Sequence, residues 1–332
     1  MVKLTFVMPV YNAADFIDKS IESLLKQQNG EWNLLCIDDG STDNSKQIIE
    51  SYAEKDNRIS IICQQNQGPG VARANAFSII KTEYVAILDA DDTVSSDYVI
   101  NMLKRADETN ADIIMPDVKI IDENDNIISD KSHFVNNKLD EHLIISDPKI
   151  SFDLSITWIL HGWVMMKSSL ARLVYTKDNV SFSKFNSDEF VSRLCYAKAN
   201  IVALCPCNYF YRKNENSLTR KKTVKHFDAL LTYEHLVDLC LQLKTEMSTL
   251  NKVYSRFRSC LFEFIYLNKQ YNNSKEELLR SAYTYYKDNF SIKLWNYVDF
   301  PDKIKYLISL SGFSCLNTIA GMRKLIFKIM NK

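Results

Sequence analysis

Over its first 115 residues the chain alternates two patterns, and that alternation limits its fold more than any other feature. Short apolar runs at Leu4 to Met8, Leu34 to Ile37, Ile59 to Cys63 and Tyr84 to Leu88 read as buried strands, as does Asp112 to Met115. Between them, apolar residues recur at helical spacing: Ile17, Ile21, Leu24 and Leu25, then Ile48, Ile49 and Tyr52, then Val71, Ala72, Ala76, Ile79 and Ile80. A further helix is predicted from about Asp97 to Asn110. Continuous apolar strands separated by helices pair in parallel and are covered on both faces. The expected fold is therefore α/β, a mostly parallel sheet flanked by helices. With 46% hydrophobic and 25% charged residues, the 332-residue chain has the composition to build such a core.

In open sheets of this kind the ligand lies outside the carboxyl ends of the strands. Three of those ends are polar here: Pro9 and Tyr11, then Asp38 and Asp39, then Asp89, Asp91 and Asp92. Side chains alternate along a strand, so Asp89 and Asp91 point to one side. Neighbouring carboxylates repel unless water, a cation or a positively charged ligand neutralises them. Hard oxygen ligands suit Mg²⁺ or Mn²⁺ holding a diphosphate. On this stretch alone a solvated loop, with Asp92 or Ser95 capping the next helix, fits equally. The turn Asn66-Gln67-Gly68-Pro69-Gly70 permits a tight backbone and a close ligand.

Beyond residue 115 the pattern loosens. Asp117 to Asp147 reads as an irregular insertion or an edge over the site, with a turn at Glu123 to Asn126 between short strands. Trp158 to Met166 is aromatic and apolar, Asn186 to Phe190 opens a helix, and Ile201 to Tyr211 is strand. After Val224 the chain turns helical, over Asp228 to Leu243, Leu250 to Tyr271 and Lys275 to Lys287. Tyr306 to Met322 lacks charge but is marginally short for a membrane span. It reads either as an interfacial helix on an anionic membrane or as a helix packed on the protein. The 41 basic and 41 acidic residues balance, so charge gives no case for a nucleic-acid partner. The eight cysteines form no CxxC pair, and buried thiols in a reducing cytoplasm are the expectation. Pro9 interrupts the first apolar run, which reads as a strand rather than a signal peptide.

Four motifs in order resemble the family 2 glycosyltransferases of the glycosyltransferase-A, Rossmann-like fold. They are Val7-Met8-Pro9-Val10-Tyr11-Asn12, Ile37-Asp38-Asp39-Gly40-Ser41-Thr42-Asp43, Asn66-Gln67-Gly68 with Ala72-Arg73-Ala74-Asn75, and Leu88-Asp89-Ala90-Asp91-Asp92. The resemblance implies a catalytic domain over residues 1–222, with a nucleotide-sugar-binding half (1–115) and an acceptor half (116–222). A C-terminal helical region, 223–332, would follow. It further implies inverting, Mn²⁺- or Mg²⁺-dependent transfer from a nucleotide-sugar, a UDP-sugar, to a saccharide or lipid-linked saccharide. The product would be capsule, lipopolysaccharide or another surface polysaccharide, made in the cytoplasm at the inner face of the plasma membrane.

By the same resemblance Pro9, Tyr11, Asp39 and Asn66 surround the base and ribose, and Arg73 lies near the uracil or diphosphate. Asp89 contacts the ribose or a metal-bound water, and Asp91 ligates the metal, with His226 as a candidate to complete its shell. Asp188 is the general base, Glu189 its fallback, and Ser187 stands where the family usually has Glu. Arg212, Arg220 and Lys221 are candidates to neutralise the diphosphate. Trp163, and with it His161, would face the acceptor, although a tryptophan here is equally a core residue. Two other readings stand beside this one: a non-catalytic glycosyltransferase-like subunit, which Ser187 keeps open, and a nucleotidyltransferase making nucleotide-sugars. Against the latter, the first turn lacks a glycine-rich basic loop.

Overall fold

The computed structural model describes residues 2–129, 131–183, 185–213 and 223–289, together with Phe313. The chain divides into two compact units, Met1–Lys221 and Lys222–Lys332.

The first unit opens with the expected alternation: β1 (Leu4–Val10), α1 (Ile17–Leu25), β2 (Trp32–Asp38), α2 (Ser45–Ala53), β3 (Ile59–Cys63), α3 (Pro69–Ile79) and β4 (Tyr84–Ile87). A two-residue β5 (Thr93–Val94), α4 (Tyr98–Thr109) and β6 (Ile113–Ile121) follow. Then come α5 (His133–Asn137), β7 (Ile144–Ile145), α6 (Pro148–Ile156), β8 (Met165–Lys167), α7 (Ser168–Val174), α8 (Lys177–Val180), α9 (Ser187–Lys198) and β9 (Val202–Arg212). All nine strands join one sheet, in the order β3-β2-β1-β4-β8-β6-β9-β5, with β7 on β9.

The long strands pair in parallel: β3 with β2, β2 with β1, β1 with β4, and β6 with β9. The departures from parallel pairing are short. β8 runs antiparallel between β4 and β6, and β5 and β7 run antiparallel to β9. Most of the predicted stripe positions are buried, as Ile17, Ile21 and Leu24 of α1, Ile49 of α2 and Val71, Ala72 and Ala76 of α3 illustrate, whereas Leu25 and Ile79 are exposed. At the other edge β3 is half open, with Ile62 and Cys63 exposed, so not every cysteine is buried as expected.

Strand β1 does not stop at Met8. It continues through Pro9, opposite Ile37, to Val10, opposite Asp38. A proline is tolerated in this interior strand because β1 pairs with β4 only as far as Val7. The N–H that Pro9 lacks falls on the side where β4 has already ended. The expected turn therefore begins at Tyr11, and Asn12 takes the left-handed conformation with φ 52°. Strand β6 is likewise longer than its apolar run, passing a bulge between Pro116 and Asp117.

In the second unit a 3₁₀ turn (Val224–Asp228) leads into α10 (Ala229–Leu243), α11 (Met247–Asn268) and α12 (Glu276–Asn289). Their core is aromatic: Phe227 stacks on Phe264 with centroids 4.8 Å apart, and Phe257 meets Tyr286 edge to face at 5.8 Å. Among the described residues no helix is long and apolar enough to cross a membrane. The uncharged stretch Tyr306 to Met322 lies, apart from Phe313, outside the described residues.

Candidate active site

The carboxyl ends of β1 and β2 and the turn after β3 are tied together by side chains. Asn12 Oδ1 accepts from the Thr42 backbone N–H at 2.8 Å, and the Ala13 N–H donates to Ser45 Oγ at 2.8 Å. Asp43 accepts from the Ala14 N–H at 3.0 Å. Asp39 is buried, and it holds the next turn. Its Oδ1 accepts from Gln64 Nε2 at 2.8 Å and the Gln67 N–H at 2.9 Å, and its Oδ2 accepts from the Gly68 N–H at 2.8 Å. Gly68 sits at φ 90°, where a side chain would be strained, and its backbone opens α3. Tyr11 and Asn66 stand exposed on this platform, with Pro9 half-buried beside them in β1.

The acidic end of β4 is held by β9. The Asp89 N–H donates to the Tyr209 hydroxyl at 3.2 Å, and that hydroxyl donates to Asp92 Oδ2 at 2.7 Å. The Arg212 N–H donates to Asp92 Oδ1 at 2.7 Å. Asp92 is therefore a buried strut, neither a solvated side chain nor a helix cap. Burial, then Asp91 and Asp89, raise its pKa well above the carboxylate range.

Arg73, on α3, is the hub of the site. Its guanidinium is buried, with Nη2 2.6 Å from Asp89 Oδ1 and Nη1 3.7 Å from Asp188 Oδ2. One cation thus joins the end of β4 to the start of α9. Burial opposes its charge, but Asp89 and then Asp188 outweigh that and raise its pKa. The second Asp89 oxygen, Oδ2, accepts the Trp163 indole N–H at 3.0 Å. Trp163 in turn stacks on Tyr209 at 5.6 Å and meets Tyr211 at 5.0 Å. The residue expected to face the acceptor thus also fixes Asp89.

Asp188 is half-exposed, and its pKa is raised by desolvation, with Asp89 and Glu189 adding and Arg73 counteracting. Such a carboxylate is a better proton acceptor than a solvated one. Glu189, the fallback, is engaged instead by the buried Arg193 at 3.3 Å. Ser187 is buried against α3, its Oγ 2.5 Å from where a Cβ on Gly70 would stand. The departure from the family's Glu therefore falls at a tight packing position.

Asp91 is half-buried, and burial together with Asp89 raises its pKa to about 6. No group of three His, Cys, Asp or Glu side chains among the described residues could hold a metal ion. Asp91 is a single hard oxygen donor, of the kind that Mg²⁺ or Mn²⁺ accepts.

Within the first unit, Arg212 and His161 are engaged by other partners. Arg212 does not face a diphosphate: it is buried, its Nε donates to the Asp91 backbone O at 2.7 Å, and its Nη2 pairs with Asp125 at 2.6 Å. His161 is buried away from any acceptor, its Nε2 2.9 Å from the Pro116 carbonyl, and burial and then His133 lower its pKa to about 3. His226 lies in the second unit, where its Nδ1 accepts from the Thr223 N–H at 3.0 Å and caps the 3₁₀ turn. Arg220 and Lys221 fall outside the described residues. Sequence reading missed Asn12, Tyr209 and the strut role of Asp92. For Tyr209 the available signal was an aromatic residue near the end of a strand.

Residues 5–170 match the family model described as Glycosyl transferase family 2. Glycosyltransferase GlyA of Streptococcus pneumoniae is 28% identical over 238 residues, 69% of this chain and 33% of GlyA. The poly(ribitol-phosphate) beta-glucosyltransferase of Bacillus spizizenii is 32% identical over 217 residues, 63% of this chain and 32% of that protein. The chain thus spans about a third of the length of these two relatives. The crystal structure of S. aureus TarS 1-349 in complex with UDP-GlcNAc has the same fold. Its TM-score is 0.71 at 18% identity, over 97% of this chain and 92% of that one. The ordered strand-end motifs, the sheet and the family match agree: the chain belongs to glycosyl transferase family 2.

Proposed function

We propose that the protein is an inverting glycosyltransferase that moves a sugar from a UDP-sugar to a saccharide or lipid-linked saccharide during surface-polysaccharide synthesis. The observation that carries this reading is Arg73, which joins the Asp89 end of β4 to Asp188 at the start of α9. Transfer with inversion needs a base on the acceptor side, for which Asp188 is placed, and charge neutralisation on the leaving-group side, which a cation held by Asp91 would supply. The UDP-GlcNAc complex of TarS supports the donor class.

Each residue then has a task. Tyr11 offers an exposed ring for the base to stack on, with Pro9 and Asn66 beside it. Asp39 Oδ2, which takes one backbone N–H, accepts the base N–H as well. Asp89, fixed by Arg73 and Trp163, receives the ribose. Asp91 holds the divalent ion, which when bound neutralises charge on the diphosphate. Asp188 takes the proton of the acceptor hydroxyl, and Arg73 holds that carboxylate beside Asp89.

The test is nucleotide release from UDP-, GDP-, CMP- and dTDP-sugars with Mn²⁺ and then with EDTA. Release from a UDP-sugar, abolished by EDTA and by Asp91→Asn, is expected. Release that ignores EDTA would remove the metal from the mechanism. Pyrophosphate formation from a nucleoside triphosphate and a sugar phosphate would replace transfer with nucleotide-sugar synthesis.

A further inference from the structure

Trp158 has a backbone its side chain does not favour. It follows α6, whose last turn closes by two reversed hydrogen bonds: the Trp158 N–H donates to the Ser155 carbonyl at 3.0 Å and the Ile159 N–H to the Leu154 carbonyl at 3.1 Å. This pair defines a Schellman C-cap, whose first residue beyond the cap must be left-handed. Glycine commonly fills that place, because a Cβ there crowds the backbone. Here it is a tryptophan, at φ 62°. A bulky residue kept in a conformation that glycine would adopt freely points to a use for its side chain.

The indole is half-buried, and its contacts link it to the cluster of Arg73, Asp89 and Asp188. The guanidinium carbon of Arg193 stands 4.0 Å from its ring centroid. Arg193 pairs with Glu189, the residue after Asp188, at 3.3 Å. On another side Trp158 meets Trp163, centroids 6.3 Å apart, and Trp163 donates to Asp89. Asp89 returns through Arg73 to Asp188. Trp158 is thus linked by contacts to both carboxylates that the reaction uses. A guanidinium against the ring fixes its plane, and the residue keeps part of its surface exposed.

We propose that Trp158 is the acceptor platform: its indole stacks on the apolar CH face of a pyranose ring and presents one hydroxyl to Asp188. The acceptor unit is then a pyranoside rather than a linear polyol phosphate, which has no ring face to stack. The inference rests on the glycosyltransferase reading and names the substrate class of that site.

The full chain, with UDP and Mn²⁺, is examined by saturation-transfer NMR against a panel of methyl pyranosides and against ribitol 5-phosphate, each at millimolar concentration. At least one methyl pyranoside is expected to receive saturation at the CH protons of one ring face. In Trp158→Gly, which suits the backbone and so keeps the fold, that signal should fall about tenfold. Trp158→Phe should restore most of it, a rescue that a purely structural tryptophan would not produce. Undiminished saturation in Trp158→Gly overturns the proposal. So does a wild type that binds ribitol 5-phosphate but no pyranoside, or neither. Failure of the glycosyltransferase reading shows separately, as a wild type that binds a pyranoside through Trp158 yet releases no nucleotide from any donor.

Discussion

At the scale of single residues, the turn after β4 holds three carboxylates and gives each a different environment. Asp92 is buried and hydrogen-bonded, Asp89 is held by Arg73 and Trp163, and Asp91 stands half-buried with its pKa raised to about 6. Asp91→Asn keeps the shape but removes the anionic ligand. Nucleotide release should fall about 10²- to 10³-fold, and Mn²⁺ should no longer tighten UDP binding, as read by calorimetry. Asp188→Asn should lower kcat about 10²- to 10⁴-fold while leaving UDP affinity near wild type. The raised pKa of Asp188 also has a sign in the pH profile. A base works only when deprotonated, so activity should fall with decreasing pH at a point above the ordinary carboxylate value of about 3.9. In Asp188→Asn the acidic limb should change, leaving only the part that protonation of Asp91 contributes.

At the scale of elements, the position of the base depends on how closely α9 packs on α3. A Cβ on Gly70 would stand 2.5 Å from Ser187 Oγ and 3.3 Å from Val180 Cβ. Gly70→Ala should therefore push the start of α9 outward and carry Asp188 away from Arg73. Thermal or denaturant melts should show a loss of about 1–3 kcal/mol, with a fall in kcat. Ser187→Ala in the same chain should recover part of both, which a double-mutant cycle measures. The elements most legible in the sequence were β1 to β4 and the helices between them, because long buried strands and helix stripes leave an apolar period. β5, β7 and β8 span only two or three residues, too few to show any period, and they supply most of the antiparallel pairing. The site was legible for a related reason. Asp39, Arg73, Asp89 and Asp91 end or follow strands that could be read, so their convergence on one edge followed. What holds them was not. The Tyr209 bond to Asp92 spans 117 positions and the Trp163 bond to Asp89 spans 74, so neither leaves a local trace. Arg212 was misplaced for the same cause: a basic residue after a strand looks free until the carbonyls and Asp125 around it are seen.

At the scale of the whole molecule, a buried histidine ties stability to acidity. His161 accepts no charge easily, since its pKa in the fold is about 3 against an ordinary 6.5. Between those values the unfolded chain binds the extra proton and the folded chain does not. His161 thus adds stability in full above about pH 6.5, and that share is lost as pH falls toward 3. Its slope is at most about 1.4 kcal/mol per pH unit. In His161→Gln, which can still donate to the Pro116 carbonyl, stability from urea melts should decline less steeply over that window than in the wild type. The braces among the strand-end loops act at this scale too. Asn12, Asp39, Asp43 and Ser45 spend their side chains on backbone N–H groups, fastening three loops to one another before any nucleotide arrives. A cradle assembled in advance loses little entropy on occupation, so nucleotide capture should be a single fast encounter without a slow closing phase. Selectivity for the base then resides in a rigid outline, and loosening one brace should shorten residence time more than it slows arrival.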